Sequence, residues 1–439
     1  MKSSLQRLLC AGVLLAACLA PPAYAEQQVA LVLAGGGARG IAHAGALKAL
    51  EEMRVPVHGL AGTSMGALVG GLYAIGMNAD DLHQVINDMD WEEAFEDSVD
   101  RGSLPPRRKS DDYDYPSTIK LAFKDGQVSI PLGIVQGQQT RQIIKDLMLE
   151  ADQIRDFDQL PTPYRAVATD IETGDPYIFS DGDIVTAMRA SMSLPALLAP
   201  VEHDGRLLVD GGLAMNIPVA VGRAMGAQRL IVIDIGTPLK SRDEIRSVIG
   251  VADQMLGFLT RKNSKEQLAT LDEQDILIRP DLTGIGMLSF DQTETIYQRG
   301  YDAAMALREQ LQTLAVDEAT WTRHLASRKL QPAALPVIDY IAVNNDGAIS
   351  DEVIRARITQ PVGAALDRDQ LRADIAAVYA LDYWEIIDYQ LTEGEDGNGL
   401  LINARAKTWG ADTLKLGLNL VTDMDGSSEV NIGGSYLLK

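Results

Sequence analysis

Residues 28–40 read QVALVLAGGGARG, and residues 57–66 read VHGLAGTSMG. The apolar run over 28–34 is bounded by glycines and predicts a short buried strand. Small and apolar residues recur through Ile41, Ala44, Leu47 and Leu50, which predicts a helix over 41–53. Val57–Ala61 predicts a second short strand, and 65–76 a small-residue helix ending near Gly76. Strand, helix, strand, helix at this spacing predicts a parallel α/β sheet.

Further along, prolines at 105, 106, 116 and 131 predict a loop-rich insertion over 101–137, with a hairpin around Lys124-Asp125-Gly126. The α/β pattern then resumes. Strands are expected at 164–169, 207–209 and 229–233, and helices near 183–191, 217–225, 241–261 and 291–313. Residues 315–336 are polar and end in Pro332 and Pro336, so they are expected to be a linker closing a hydrolase-sized unit over 26–314. Residues 337–408 predict a separate β-α-α-β-β module. From 413 the text alternates, with Leu414, Leu416, Leu418 and Leu420 on one face, then a turn over 423–427 and a second, weaker run over 429–438.

The chain has 439 residues, long enough for two or three domains. Its net charge of −22 argues against nucleic-acid binding, because the phosphate backbone would be repelled. It does not argue against membranes, where a local basic patch can act alone. Both cysteines, Cys10 and Cys18, fall within the first 18 residues. The body of the chain is therefore expected to hold no disulfide framework and no cysteine-based metal site.

Residues 1–25 combine basic Lys2 and Arg7, an apolar run from Leu8 to Ala20, and Ala23-Tyr24-Ala25. This reads as a secretory signal peptide cut after Ala25, with a run too short to span a bilayer comfortably. Leu15-Ala16-Ala17-Cys18 offers a competing lipoprotein reading. Leu19 and Ala20 continue the apolar run beyond Cys18, which favours ordinary cleavage.

Gly35-Gly36-Gly37-Ala38-Arg39-Gly40 follows a strand and opens a helix. It fits a dinucleotide fingerprint, but the second strand ends in Gly62-Thr63-Ser64-Met65-Gly66 without the acid that would hold a ribose. The other readings are a tight turn or an oxyanion hole, since consecutive glycines at a helix start present free N–H groups. Gly62–Gly66 fits G-x-S-x-G on a strand–turn–helix, which would expose the Ser64 hydroxyl at the carboxyl edge of the sheet. A serine nucleophile needs a base. Of the histidines (43, 58, 83, 203 and 324), only His203 and His324 lie well downstream, both in polar settings that suggest solvated side chains. Asp210 is better placed, ending the strand 207–209 beside Gly211 and Gly212.

Together GGGARG (35–40), GTSMG (62–66), RASMSLPALLAP (189–200) and DGGLAMNIP (210–218) resemble the patatin-like phospholipases over about residues 29–235. The resemblance implies a three-layer α/β sandwich with a mostly parallel sheet. It also implies a Ser64–Asp210 dyad without histidine and backbone oxyanion donors at Gly36, Gly37 and Ala38 within the loop 35–40. It implies lipid esters as substrates, above all phospholipids, and neither cofactor nor metal. Arg39 would hold a lipid phosphate or pair with a carboxylate. The basic stretch 101–109 would touch anionic headgroups or be a solvated loop.

Residues 337–408 resemble a POTRA domain by element order. The alternating runs over 409–439 resemble the first strands of an outer-membrane barrel, which needs at least about eight. The combination resembles the phospholipase-bearing autotransporter-like proteins of Gram-negative bacteria. It predicts an exported chain, at the outer membrane or secreted, that is a piece of a longer product. The barrel assembly machinery is an expected partner, and a homodimer is left open. The alternatives are a general carboxylesterase or lysophospholipase, and a non-catalytic interaction protein.

Overall fold

The computed structural model describes residues 27–437 except 98, 100, 103, 107, 111–120, 125–126, 237–238, 240, 244, 247, 331–334, 395–396, 411 and 423–427. The expected leader over 1–25 and Arg107 of the basic stretch lie outside the described residues.

Val29–Leu33 is the pivot of the fold. All five residues are buried, because the strand is flanked on both edges by parallel neighbours, Arg229–Ile233 and Gly59–Thr63. A strand covered on both faces reads as a continuous apolar run rather than an alternating one. Among the described residues it belongs to an eight-stranded sheet. The order is Ile276–Ile278, Arg229–Ile233, Val29–Leu33, Gly59–Thr63, Tyr164–Asp170, Arg206–Asp210, Val201–His203, with Pro176–Phe179 also paired to Tyr164–Asp170.

The sheet is parallel as far as Tyr164–Asp170 and antiparallel beyond it. The expected parallel sheet is thus a mixed one. The antiparallel edge is what brings the end of Arg206–Asp210 back toward Gly59–Thr63.

Side-chain alternation sends Leu60, Ala166 and Ala168 into the main core. Ala61 and Val167 point to the opposite face, where they meet Val221 of the helix Val219–Ala224. Helices therefore cover both faces. The helix Met65–Ala74 is buried along its whole length and is apolar all round, as a helix inside a core must be.

Residues 315–336 are not simply a linker. They contain the helix Glu318–Ser327, with Trp321 buried. Just beyond it, the buried Arg328 stacks 3.5 Å from the Tyr73 ring and donates to the Tyr73 and Met77 carbonyls, both at 2.9 Å. The polar composition hid two large side chains that pin this segment to the hydrolase unit.

The following module has strands Tyr340–Asn345, Trp384–Gly394 and Gly397–Ala406 and helices Asp351–Arg355 and Arg368–Tyr379, the β-α-α-β-β order expected. It has its own core, which includes Ile338, Ile375, Trp384 and Ile402 and accepts Leu149 from the preceding unit. The module docks on the helix Gln138–Met148. The Gln138 amide exchanges two hydrogen bonds with the Ile387 backbone, at 2.8 and 2.9 Å.

The strands Asp412–Thr422 and Ser428–Leu437 form a hairpin. The start of the first strand pairs with Leu121–Phe123 from the insertion, itself half of the hairpin Leu121–Lys124/Gln127–Ser129. Among the described residues, no helix is long and apolar enough to cross a membrane.

Candidate active site

Strand Gly59–Thr63 turns directly into helix Met65–Ala74, and Ser64 stands at the turn with φ 54° and ψ −123°. A non-glycine residue rarely adopts such a backbone. Here it is enforced by close packing. A Cβ at Gly62 would lie 2.3 Å from the Gly66 carbonyl oxygen, and one at Gly66 would lie 2.4 Å from that of Leu33. The two glycines of G-x-S-x-G therefore let the strand, the turn and the neighbouring strand come together.

The Ser64 hydroxyl donates to Asp210 Oδ2 at 2.6 Å, across 146 residues of sequence. Asp210 is buried, and its other oxygen accepts the Gly212 N–H at 2.7 Å. Burial pushes the Asp210 carboxyl up to about 6, against the opposing pull of the Ser64 and Gly212 hydrogen bonds. A carboxylate alone is a weak base for a hydroxyl, and desolvation is what strengthens this one.

Two residues not assigned roles from sequence complete the frame. Ser191 Oγ accepts the Ser64 N–H at 2.8 Å and donates to the Val167 carbonyl at 2.5 Å. Asn216 accepts the Gly35 N–H on its backbone oxygen at 3.1 Å. Both lie in the motif segments 189–200 and 210–218, but nothing in a single sequence separates a frame-holding serine or asparagine from its neighbours.

The glycine loop divides by function. The Gly35 N–H is held by Asn216, and the Ala38 N–H by the Met287 carbonyl at 2.8 Å. Ala38 is therefore not placed to serve as an oxyanion donor, contrary to the expectation. Gly36 and Gly37 remain, and both line the same cavity as Ser64 and Asp210. Gly37 has φ +58°, and a Cβ there would lie 2.3 Å from the Met287 carbonyl oxygen. Gly40 packs beside Met65, and Thr63 is buried with its hydroxyl on the Met215 carbonyl at 2.9 Å. Gly211 and Gly212 form the turn after Asp210.

Arg39 is buried, and burial lowers its guanidinium to about 10 while Asp234 opposes the shift. Asp234 itself is bridged by Arg279 at 3.0 Å.

The histidines have partners elsewhere. His43 donates to the Ala34 carbonyl, His83 meets Glu294, His58 accepts the Val29 N–H, His203 packs against Phe179, and His324 stacks on Trp321. In the basic stretch, Arg108 donates to the Ala380 carbonyl of the small module, which removes it from a purely solvated loop. Among the described residues, no group of three or more histidine, cysteine, aspartate or glutamate side chains could hold a metal ion.

The cavity over Ser64 measures about 350 Å³ and is walled largely by apolar side chains, including Met192, Leu194, Leu197, Met287 and Phe290. An apolar pocket with a few convergent polar groups fits a ligand that is mostly hydrocarbon.

Residues 31–222 match the family of patatin-like phospholipases. The chain carries a patatin-like phospholipase domain. It is 35% identical over 208 residues to an uncharacterised NTE family protein of Mycobacterium bovis, covering 47% of this chain and 49% of the relative. It is 36% identical over 211 residues to patatin-like phospholipase domain-containing protein 6 of Mus musculus, covering 48% of this chain and 14% of that protein. The chain thus spans about half the length of the first relative and a small part of the second. VipD from Legionella pneumophila is similar at 16% identity, with a TM-score of 0.36, over 65% of this chain and 67% of VipD.

Proposed function

We propose that the domain is a serine acyl hydrolase that cleaves carboxylic esters of phospholipids through Ser64 and Asp210. The observation that carries this reading is the 2.6 Å hydrogen bond from the Ser64 hydroxyl to a buried carboxylate. Asp210 takes the hydroxyl proton as Ser64 Oγ bonds to the ester carbonyl carbon. The oxyanion forms against the N–H groups of Gly36 and Gly37, each worth about 3 kcal/mol of barrier. The tetrahedral intermediate then collapses. Asp210 returns the proton to the departing alcohol, and the acyl group stays on Ser64. Water repeats the sequence, with Asp210 as its base, and releases the fatty acid. Desolvation raises Asp210 to about 6, which strengthens it as the base.

Apolar cavity walls support a long acyl chain over a small polar ester. The leader motif supports export. The β-α-α-β-β order and the two long C-terminal strands support a POTRA-like module leading into an outer-membrane barrel. S64A and D210N, set against H203A and H324A on phospholipid vesicles, test the dyad. Hydrolysis surviving in either dyad variant, or lost in a histidine variant, would refute it. Comparing bilayer with micellar lysophospholipid substrates separates a phospholipase from a lysophospholipase.

A further inference from the structure

The helix Val248–Leu268 forms one wall of the Ser64 cavity. Its inner side carries Gln254, Gly257 and Thr260, which line the cavity. It is also tied to the turn after the catalytic aspartate. Asn263 donates to the Gly212 and Leu213 carbonyls at 2.9 and 3.0 Å, and Thr260 donates to Gly212 at 3.3 Å.

The outer side is different. Val251, Met255, Phe258 and Leu259 are 49, 61, 52 and 52% exposed. Their spacing of i, i+4, i+7 and i+8 puts all four on one helix face. Lys262 and Lys265, at i+11 and i+14, continue the same face together with Glu266 at i+15, and all three are exposed, as is Arg261 beside them. In a chain of net charge −22, a stripe that runs from bare apolar residues into lysines is not a solvated surface by default.

A second apolar row is joined to the cavity lining by strand pairing. Ile130, Leu132 and Ile134 are 62, 61 and 70% exposed. They run into the strand Gly133–Val135, which pairs with Ala196–Leu198. Leu197 and Leu198 of that partner line the cavity.

We propose that the outer face of helix Val248–Leu268 docks the domain on an anionic lipid bilayer. Met255, Phe258 and their neighbours enter the acyl layer, and Lys262 and Lys265 meet the phosphates. The exposed row at 130–134, paired to the cavity-lining strand, adds a second apolar contact. The lysines argue for an anionic lipid rather than a neutral apolar partner. Continuity of the face with the cavity wall argues for the substrate's own surface. The inference rests on the proposed lipid hydrolase, and it names where that enzyme meets its substrate.

The test is cosedimentation of the full chain with vesicles, using S64A as the background so that binding is read without turnover. Two vesicle types serve, phosphatidylcholine alone and phosphatidylcholine mixed with phosphatidylglycerol. M255D/F258D is expected to lose on the order of tenfold or more of binding to the mixed vesicles. K262E/K265E should lose roughly fivefold or more per lysine on mixed vesicles and little on phosphatidylcholine alone. L132D in the second apolar row should weaken binding independently.

Hydrolysis of a short monomeric ester by M255D/F258D in the wild-type background checks that the fold is intact. Undiminished vesicle binding by M255D/F258D overturns the proposal. So does loss of a dimer with vesicle binding retained, since the face would then belong to a second copy. A chain that docks by this face but hydrolyses no phospholipid would refute the enzymatic reading and leave the docking surface standing.

Discussion

Asp210, buried, and Asp183, half-buried, stand beside the same helix, Ile184–Ser191, and their proton affinities move in opposite directions. Asp210 faces a serine hydroxyl and one backbone N–H, and burial pushes it up to about 6. Asp183 caps that helix through the Thr186 N–H at 3.1 Å and meets Arg141 at 3.0 Å. Burial pushes it up too, but Arg141, Lys145 and the Thr186 donors outweigh burial and hold it at about 2. One carboxylate is left without a cation and suits the base of the proposed dyad. The other is neutralised and is a fastener. Arg141 also bridges to Asp388 of the small module, so the fastener joins the two units. The last residue of the shared helix, Ser191, accepts the Ser64 N–H. The helix thus begins at the module interface and ends against Ser64, the proposed nucleophile.

The largest way to break this contrast is to remove the base. S64A and D210N should each lower kcat on phospholipid by on the order of 10⁴-fold or more, since a nucleophile and its base act as a unit. The stability change should go the other way. Raising a carboxyl from 3.8 to about 6 costs roughly 3 kcal/mol at neutral pH, because each unit is about 1.36 kcal/mol. D210N should therefore melt no lower than wild type at pH 7. A marked fall in Tm would show that Asp210 is structural rather than held ready for proton transfer.

Breaking the fastener should do the reverse. R141A removes the guanidinium that joins the buried Asp388 to the half-buried Asp183, and it should cost about 3 kcal/mol. Thermal unfolding would show this as a lower Tm. Loss of kcat should be secondary, traced through the helix to Ser191. If R141A left Tm unchanged while abolishing kcat, the comparison would be inverted.

The sequence showed one half of this contrast and not the other. GTSMG and DGG announce themselves because the turn at Ser64 and the approach after Asp210 need residues without a Cβ, and glycine leaves a visible mark. The strand 28–34 was legible for a similar reason, as complete burial writes an uninterrupted apolar run. Arg141, Asp183 and Asp388 left no mark. They are ordinary charged residues, and only the fold brings positions 141 and 388 together. The helix expected at 241–261 lies at Val248–Leu268, and its last two turns, KNSKEQ over 262–267, are polar and leave no apolar period to read. The oxyanion loop was read one residue too generously at Ala38. Which N–H groups are free depends on distant carbonyls, those of Asn216 and Met287.

Acid sharpens the comparison, because the two aspartates respond to pH in opposite senses. The folded value of Asp210 is raised, so its contribution to stability is full below about 3.8 and is lost as pH rises through about 6. The folded value of Asp183 is depressed, so its contribution is present above about 3.8 and is lost as pH falls through about 2. Activity follows the first. kcat/KM on a soluble ester should rise with pH to a plateau, with a single apparent value near 6, as Asp210 becomes competent to accept a proton. D183N should leave that midpoint in place while flattening the acid limb of stability below about pH 4. A rate midpoint near 4 would mean that Asp210 is less desolvated than its setting indicates.

The smallest effect belongs to the histidines, and it is the control that the whole contrast needs. Burial lowers His324 to about 4, with Arg328 and His58 adding to the shift. It is neutral at pH 7 and stacks on Trp321 at 5.3 Å, in the helix that fastens to Tyr73. Its folded value lies below the ordinary 6.5, so any stability it confers is present above 6.5 and is lost as pH falls toward 4. H324A should therefore leave kcat/KM and its midpoint near 6 untouched, and should make stability less sensitive to pH between about 6.5 and 4. A rate profile with the Asp210 midpoint is easily mistaken for a histidine titration, since an unperturbed imidazole titrates close by. Only a profile that survives H203A and H324A unchanged and disappears in D210N assigns that midpoint to the carboxylate.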